Sequence, residues 1–392
     1  MVLCRPSFRS PTSEEVAKVG SVTTPPLSTG SATLPHQSES FDATSRQDPA
    51  KPTAIDLFAG AGGATQGLID AGFKVIGAIE FDPVAAQSYR LNHPGVHLWE
   101  RDICKVSAAE VRRTLALQTG ELTLLKACPP CQGFSSLAEG RIDADDPRND
   151  LVYHTIRFVR ALQPKAVLLE NVPGLGRNKR SQELLGALKR MGYNARQYLV
   201  NAMEFGVPQK RKRLIILALK GLRSPLPETL ANTDPEWPVT VRETFRQLSG
   251  KVSPDDPLSQ PRVLPENILK RVRAIPTEGN RFSLPENLQL TCHKNLDATG
   301  KKGAYGSYGR LRWDEPAPTM TTRCTTPACG PFLHPEEHRP ITLREAAAIQ
   351  TFPPNYKFFG NRGQIERQIG NAVPVRMAAA IAASLLLAIS VK

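Results

Sequence analysis

Cys131 stands directly after two prolines in Lys126-Ala-Cys-Pro-Pro-Cys-Gln-Gly-Phe-Ser-Ser136. Proline fixes its own φ and pushes the residue before it into extended geometry, so the pair stiffens the turn that presents this thiol. An apolar run, Leu122 to Leu125, leads into the turn and predicts a buried strand. A cysteine held at the carboxyl end of such a strand, where open α/β sheets build their sites, is a candidate nucleophile. A second cluster lies upstream. Gly60, Gly62 and Gly63 fall between the apolar stretch Ala54-Ile-Asp-Leu-Phe58 and a helical pattern, where they let backbone approach a ligand at a helix N-terminus. Glu80, about twenty positions on at the end of the next strand, suits a ribose hydroxyl pair. The spacing departs from G-x-G-x-x-G and no phosphate-binding lysine follows, so a nucleoside without a diphosphate fits better. Asp102, after a third strand, could accept a hydrogen bond from an adenine amino group.

The elements that must position these residues follow from periodicity. Strands are expected at Ala54–Phe58, Lys74–Ile79, Val96–Glu100, Leu122–Leu125, Ala166–Leu169, Tyr193–Val200 and Arg213–Leu219, with helices between most of them. Strands alternating with helices at this spacing predict an α/β fold with a mostly parallel sheet covered on both faces. From about Gly221 to His338 prolines become frequent and apolar runs short, which predicts a second, loop-rich domain. Helical order returns at Thr342, whose spacing to Glu345 is a capping box, and a last helix is expected from Pro374. The Ser/Thr/Pro-rich residues 1–52 show no apolar periodicity and read as a disordered arm.

Of the 392 residues, 50 are Lys or Arg against 37 Asp or Glu, a formal charge of +13 that points to a polyanionic partner, nucleic acid first. Seven cysteines in a long chain without a signal peptide predict reduced thiols and a cytoplasmic protein. The apolar run from Met377 to Val391 is shorter than the roughly 20 residues a membrane span needs. It reads as a packed core helix, with no membrane partner.

Six stretches carry a resemblance: Asp56-Leu-Phe-Ala-Gly-Ala-Gly-Gly63, Pro130-Cys-Gln132, Glu170-Asn-Val172, Gln209-Lys-Arg-Lys-Arg213, Arg339 to Pro353 and Gly370-Asn-Ala-Val-Pro374. In this order and spacing the chain resembles the DNA (cytosine-5) methyltransferases of prokaryotic restriction–modification systems, from about Thr53 to its C-terminus. The resemblance implies a Rossmann-like S-adenosylmethionine-dependent sheet over residues 53–220, a target-recognition domain over 221–338, and a segment, 339–392, that returns to the catalytic domain. It implies transfer of a methyl group to C5 of a flipped-out cytosine in duplex DNA, with Cys131 adding to C6 and Glu170 acting at N3. Asn171 would orient the turn, Arg213 would contact the cytosine carbonyl, and Arg211 would support it. Phe58, Gly60, Gly62, Gly63, Glu80, Asp102, Ile103, Pro130, Asn371 and Val373 would line the cofactor pocket. Gly133 to Asn149 resembles the loop that closes over DNA, and Thr319-Met-Thr-Thr-Arg323 would face the groove. The implied partners are double-stranded DNA and a cognate restriction endonuclease, with the enzyme a monomer.

Other readings of the same residues stay open at this stage. Cys128-Pro-Pro-Cys131 is also a C-x-x-C, although a redox pair calls for a small thioredoxin-like fold. The family usually carries a small residue where Cys128 stands. Cys324, Cys329, His334 and His338 have the outer spacings of a zinc finger, but four residues separate Cys329 from His334 where about 12 are usual, so no metal is expected. Trp237 and Trp313 fit a small-domain core better than a base-stacking platform. A tRNA substrate is the nearest enzymatic alternative, disfavoured by the long recognition region. A silent DNA-binding protein is disfavoured by the joint presence of Cys131, Glu170 and Arg213.

Overall fold

Successive residues of the central strands go to opposite faces of one sheet, and each face has its own core. Ile55, Leu57, Leu125, Val167, Leu169, Ile216 and Ala218 pack on one side; Ala54, Leu124, Ala166, Leu168, Ile215, Leu217 and Leu219 pack on the other. This period of two, with both sides apolar, is what a doubly covered sheet requires. The computed structural model describes residues 51–130, 151–221, 226, 230, 238–298 and 306–390. The arm through Ala50, Cys131, the segment 133–149 and Trp237 lie outside the described residues.

In chain order the first half runs β1 (Thr53–Leu57), α1 (Gly63–Asp70), β2 (Lys74–Glu80), α2 (Pro83–Asn92), β3 (His97–Glu100), α3 (Ala108–Thr114), β4 (Leu124–Ala127), α4 (Val152–Leu162), β5 (Ala166–Asn171), α5 (Lys179–Arg190), β6 (Tyr193–Asn201), β7 (Gln209–Lys210) and β8 (Lys212–Lys220). The seven-stranded sheet has the order β3-β2-β1-β4-β5-β8-β6. Its first five strands are parallel; β8 is antiparallel to both β5 and β6. The fold is thus α/β and Rossmann-like. β4 lies two residues later than the apolar run Leu122–Leu125 predicts, because Lys126 is accepted as a strand residue. β5 continues through the polar pair Glu170 and Asn171.

The second half contains α6 (Val241–Leu248), α7 (Glu266–Ala274), α8 (Thr291–Ala298), β9 (Ala317–Pro318), α9 (Leu343–Ile349), α10 (Arg362–Asn371) and α11 (Val375–Ser390). β9 pairs with β7 as a separate two-stranded ladder. Val241, Leu311, Met320 and Phe332 share one core with Ile341, Ala347, Phe352, Tyr356 and Ile369. The boundary expected between 338 and 339 therefore runs through a single hydrophobic core. α11 packs on the sheet, where Met377, Ala378, Ile381 and Leu385 are buried with Ala64 and Leu68 of α1. Full burial of side chains such as Ile381 and Leu385 stabilises by roughly 1.5–3 kcal/mol each. Thr342 caps α9 as its spacing predicts: its Oγ1 accepts from the Glu345 amide at 3.1 Å, and Glu345 Oε2 accepts from the Thr342 amide at 2.7 Å.

Candidate active site

Five adjacent parallel strands end on the same edge. Register pairs Leu57 with Ile79 and Ala127, Ala127 with Leu169, and Glu80 with Glu100. Phe58, Glu80, Asp102, Cys128 and Glu170 consequently sit at successive strand ends. Strand order reverses between β1 and β4, which opens the crevice where such sheets bind ligands.

On the β1–β3 side, Phe58 has φ 60° and Gly60 φ 57°, so the turn after β1 is left-handed at both. A side chain holds such a conformation only where its surroundings force it. Glu80 fastens this turn: Oε2 accepts from the Gly60 amide at 2.6 Å and Oε1 from the Asp82 amide at 2.8 Å. Burial raises its carboxyl above the usual range, with the backbone donors opposing. Asp102 accepts from the Cys104 amide at 2.9 Å, and this bond holds its carboxyl below the usual range. Ile103 is buried and its carbonyl accepts from Arg157 Nη2 at 2.7 Å. Phe81, next to Glu80, is 71% exposed and presents an open aromatic face. The sequence reading missed it, though an aromatic directly after the acidic residue was the available signal.

The three glycines divide their work. A Cβ on Gly60 would meet nothing within 4 Å, so this position faces open space. On Gly62 it would lie 2.6 Å from His93 Nε2 and 2.7 Å from Tyr356 Oη; on Gly63, 3.0 Å from Phe352 Cζ and from the Val373 carbonyl. Close packing at Gly62 and Gly63 thus adds a second reason for glycine there, beside the ligand approach expected at all three. Gly62 and Gly63 let the C-terminal segment close on the loop. Tyr356 completes the closure by donating to the Ala61 carbonyl at 2.6 Å while meeting His93 Nε2 at 3.0 Å. Val373 is buried on the sheet's α1 side, whereas Asn371 is exposed at the end of α10.

At the neighbouring strand ends, Glu170 is held from two sides. Arg213 Nε lies 2.8 Å from Oε1, and Cys128 Sγ donates to Oε2 at 2.8 Å. Arg213 Nη1 donates to the Lys212 carbonyl at 2.7 Å, and neither bond uses Nη2. Asn171 Nδ2 donates to the Pro129 carbonyl at 3.2 Å, tying β5 to the diproline turn that leads through Pro130 to Cys131.

Arg211 is placed differently from the supporting role expected beside Arg213. It is buried, and its guanidinium donates to the carbonyls of Met320 at 3.2 Å, Gly370 at 3.2 Å and Ala372 at 3.3 Å. Gln209, also buried, accepts from the Met320 amide at 2.8 Å and donates to Gln350 Oε1 at 2.9 Å. Gln350 in turn donates to the Ile369 carbonyl at 2.5 Å. Strand alternation alone would put Arg211 and Arg213, two positions apart, on one face; the break between β7 and β8 falls at Arg211, turning it inward to the backbone and leaving Arg213 at Glu170.

A buried pair under the site escaped the sequence reading. Asp56 and Lys126 are register partners on β1 and β4, and Lys126 Nζ lies 2.8 Å from Asp56 Oδ1 with both side chains almost inaccessible. Thr65 donates to Asp56 Oδ2 at 2.8 Å. Burial works against the Lys126 charge, but Asp56, with Cys128 and Glu170, outweighs it and raises the ammonium above its usual value.

Of the four residues weighed for zinc, the two cysteines are buried or half-buried free thiols and the two histidines have separate partners. Cys324 is buried and burial pushes its thiol up. His334 Nδ1 accepts from the Glu337 amide at 3.0 Å, and His338 Nδ1 meets Arg310 Nη2 at 3.2 Å. Among the described residues no group of three or more His, Cys, Asp or Glu could hold a metal. Trp313 packs edge-on against Phe245 and His334 and donates to Glu336 at 2.6 Å. Thr319 Oγ1 donates to the Lys210 carbonyl at 2.7 Å, and Arg323 is exposed.

The Rossmann-like sheet, with its crevice beside the Glu170–Arg213 pair, agrees with the class that the comparisons give, a methyltransferase. The chain belongs to the C-5 cytosine-specific DNA methylases, whose family model matches residues 53–386. It is 34% identical to the Type II methylase M.HgiDII of Herpetosiphon aurantiacus, over 84% of this chain and 94% of that one. It is 36% identical to the Type II methyltransferase M.PspPI of Psychrobacter sp., over 85% and 78%. A prophage-encoded Escherichia coli protein assigned as a DNA modification methyltransferase superposes with TM-score 0.63 at 26% identity, covering 87% of this chain and all of that one. The S. pombe Dnmt2 methyltransferase shares the fold with TM-score 0.60 at 18% identity, covering 86% and 99%.

Proposed function

We propose that this DNA (cytosine-5) methyltransferase modifies a flipped-out cytosine within a specific duplex sequence, through a covalent adduct between Cys131 and C6. The observation that carries the reading is Glu170, fixed by Arg213 and Cys128 beside the turn that Asn171 ties to β5. Residues 53–220 supply the chemistry, 221–338 the recognition of sequence, and α11 completes the catalytic side.

The crevice fits S-adenosylmethionine. Gly60 leaves open space, Glu80 retains lone pairs for ribose hydroxyls, Asp102 can accept from the adenine amino group, and Phe81 offers a face for the purine. Phe58, Ile103, Pro130, Val373 and Asn371 complete the proposed pocket. When bound, the cofactor supplies the electrophilic methyl that C5 accepts.

Cytosine C5 is a poor nucleophile until a thiolate adds at C6, because only then does the ring become enamine-like. Cys131 is the residue for that addition. Charge developing at N3 meets the Glu170 carboxyl, which stabilises or supplies the proton there. Arg213, already bonded to Glu170, has Nη2 for the cytosine carbonyl. Loss of the C5 proton and expulsion of the Cys131 sulfur restore aromaticity. C5 and C6 lie within the duplex stack, so the base must leave it first. The Type II naming of the relatives supports a restriction endonuclease that reads the same sequence as a partner.

A duplex carrying fluorine at C5 of the target cytosine tests the adduct. Fluorine cannot leave as a proton does, so the wild type should form a complex that survives denaturant, and Cys131→Ser none. A wild type that methylates ordinary DNA but never traps on this duplex would contradict the mechanism.

A further inference from the structure

Four arginines converge on one cleft away from the nucleoside crevice. Arg262, Arg323, Arg362 and Arg367, with Thr322, Thr326 and Glu366, line a cavity of about 450 Å³. They arrive from three separate segments: the approach to α7, the stretch after Met320, and the first turns of α10. One carboxylate answers four guanidinium groups. Glu366 is buried, accepts from Thr325 Oγ1, and lies 3.8 Å from Arg262 Nη1. Arg262 itself donates to Thr326 Oγ1 at 2.8 Å, and Arg362 Nη2 donates to the Gln260 carbonyl at 3.0 Å. Arg362 Nη1 has no hydrogen-bond partner although it is shielded from solvent. Arg323 and Arg367 are exposed at the rim. Like charges gathered against a low-dielectric wall repel one another unless an anion joins them.

We infer that this cleft seats a backbone phosphate of the DNA substrate, outside the target base. The proposal rests on the DNA reading above and adds a contact site that includes α10. Guanidinium forks match phosphate oxygens, and phosphate contacts fix the register of a protein on a duplex without reading its sequence. α10 has ten residues, so its arginine end lies about 15 Å, or roughly four base steps, from the end that meets Arg211. A phosphate held there would anchor the duplex while the base is extruded elsewhere.

The test is equilibrium binding of the full chain to a duplex containing its methylation sequence and to an unrelated duplex, across a range of salt. For Arg323→Gln combined with Arg367→Gln, affinity should fall about tenfold on both duplexes, and the slope of log K against log salt should shrink by about one. Arg367→Lys, which keeps the charge, should retain most of the slope. Both side chains are exposed, so an unchanged melting temperature is expected and separates lost contact from lost fold. An unchanged slope, or a loss confined to the cognate sequence, would overturn the phosphate seat while leaving the methylation reading intact. A wild type that neither binds nor methylates duplex DNA would instead remove the reading beneath it.

Discussion

The Cys128 thiol donates to Glu170 Oε2 at 2.8 Å, on the side of the carboxylate opposite Arg213. The residue that departs from the family's usual small side chain thus touches the group proposed to act at N3. Removing this donor loosens Glu170 without touching Cys131. Cys128→Ala should lower kcat about fivefold, equivalent to about 1 kcal/mol for a modest hydrogen bond. Cys128→Ser, which keeps a donor, should recover part of the loss. Equal kcat in all three proteins would show that the contact does nothing for turnover.

The Asp56–Lys126 pair predicts strong coupling. Lys126→Met alone leaves a carboxylate buried without its counter-charge, a cost of about 3–5 kcal/mol. Lys126→Met with Asp56→Asn should recover more than half of that in urea unfolding, because neither charge is then stranded. Additive single effects would contradict the pairing.

Gly60 and Gly62 should behave oppositely. Gly62→Ala meets His93 and Tyr356 at a φ of +94°, so it should destabilise by about 3 kcal/mol from backbone strain and overpacking together. Gly60→Ala carries only the backbone strain, about 1 kcal/mol, and should fold while raising the KM for the cofactor. A well-folded Gly62→Ala would show that the closure by Tyr356 is looser than described.

His93 ties part of the stability to pH. Burial lowers its pKa below the ordinary histidine value of about 6.5, with the Gly62 contact opposing. Below about pH 6.5 the unfolded chain therefore binds more protons than the folded one at this residue. Stability should fall as pH drops from there toward the folded value. His93→Gln should show a shallower loss over the same window in unfolding experiments. His97, His154 and His334, also lowered by burial, contribute slope of the same sign. An identical slope in the two proteins would remove His93 from this account.

The parallel half of the sheet was legible because its signals are local. Apolar runs such as Val75–Ile79 and Ala166–Leu169, with Gly60 and Pro129 punctuating the neighbouring strand ends, mark strands and the turns that end them. The capping box at Thr342 is equally local. What stayed hidden depends on contacts between distant residues. Lys126 interrupts an apolar strand, and only its register with Asp56 reveals why a charge is tolerated there. The packing roles of Gly62 and Gly63 come from Tyr356, Phe352 and Val373, all far along the chain in the C-terminal segment. Arg211 and Arg213 look alike in sequence, and only the long-range partners of each tell them apart. The shared core of Val241 and Ile369 likewise leaves no mark on either segment alone.

The central claim is methylation of cytosine C5 through Cys131. Its most direct test is methylcytosine sequencing of DNA from a host lacking cytosine methylases, after expression of the wild-type chain or Cys131→Ser. The account predicts modified cytosines at one position of one short sequence with the wild type, and none with the variant. Unmodified DNA from a folded, cofactor-binding wild type, or equal modification by Cys131→Ser, would contradict it.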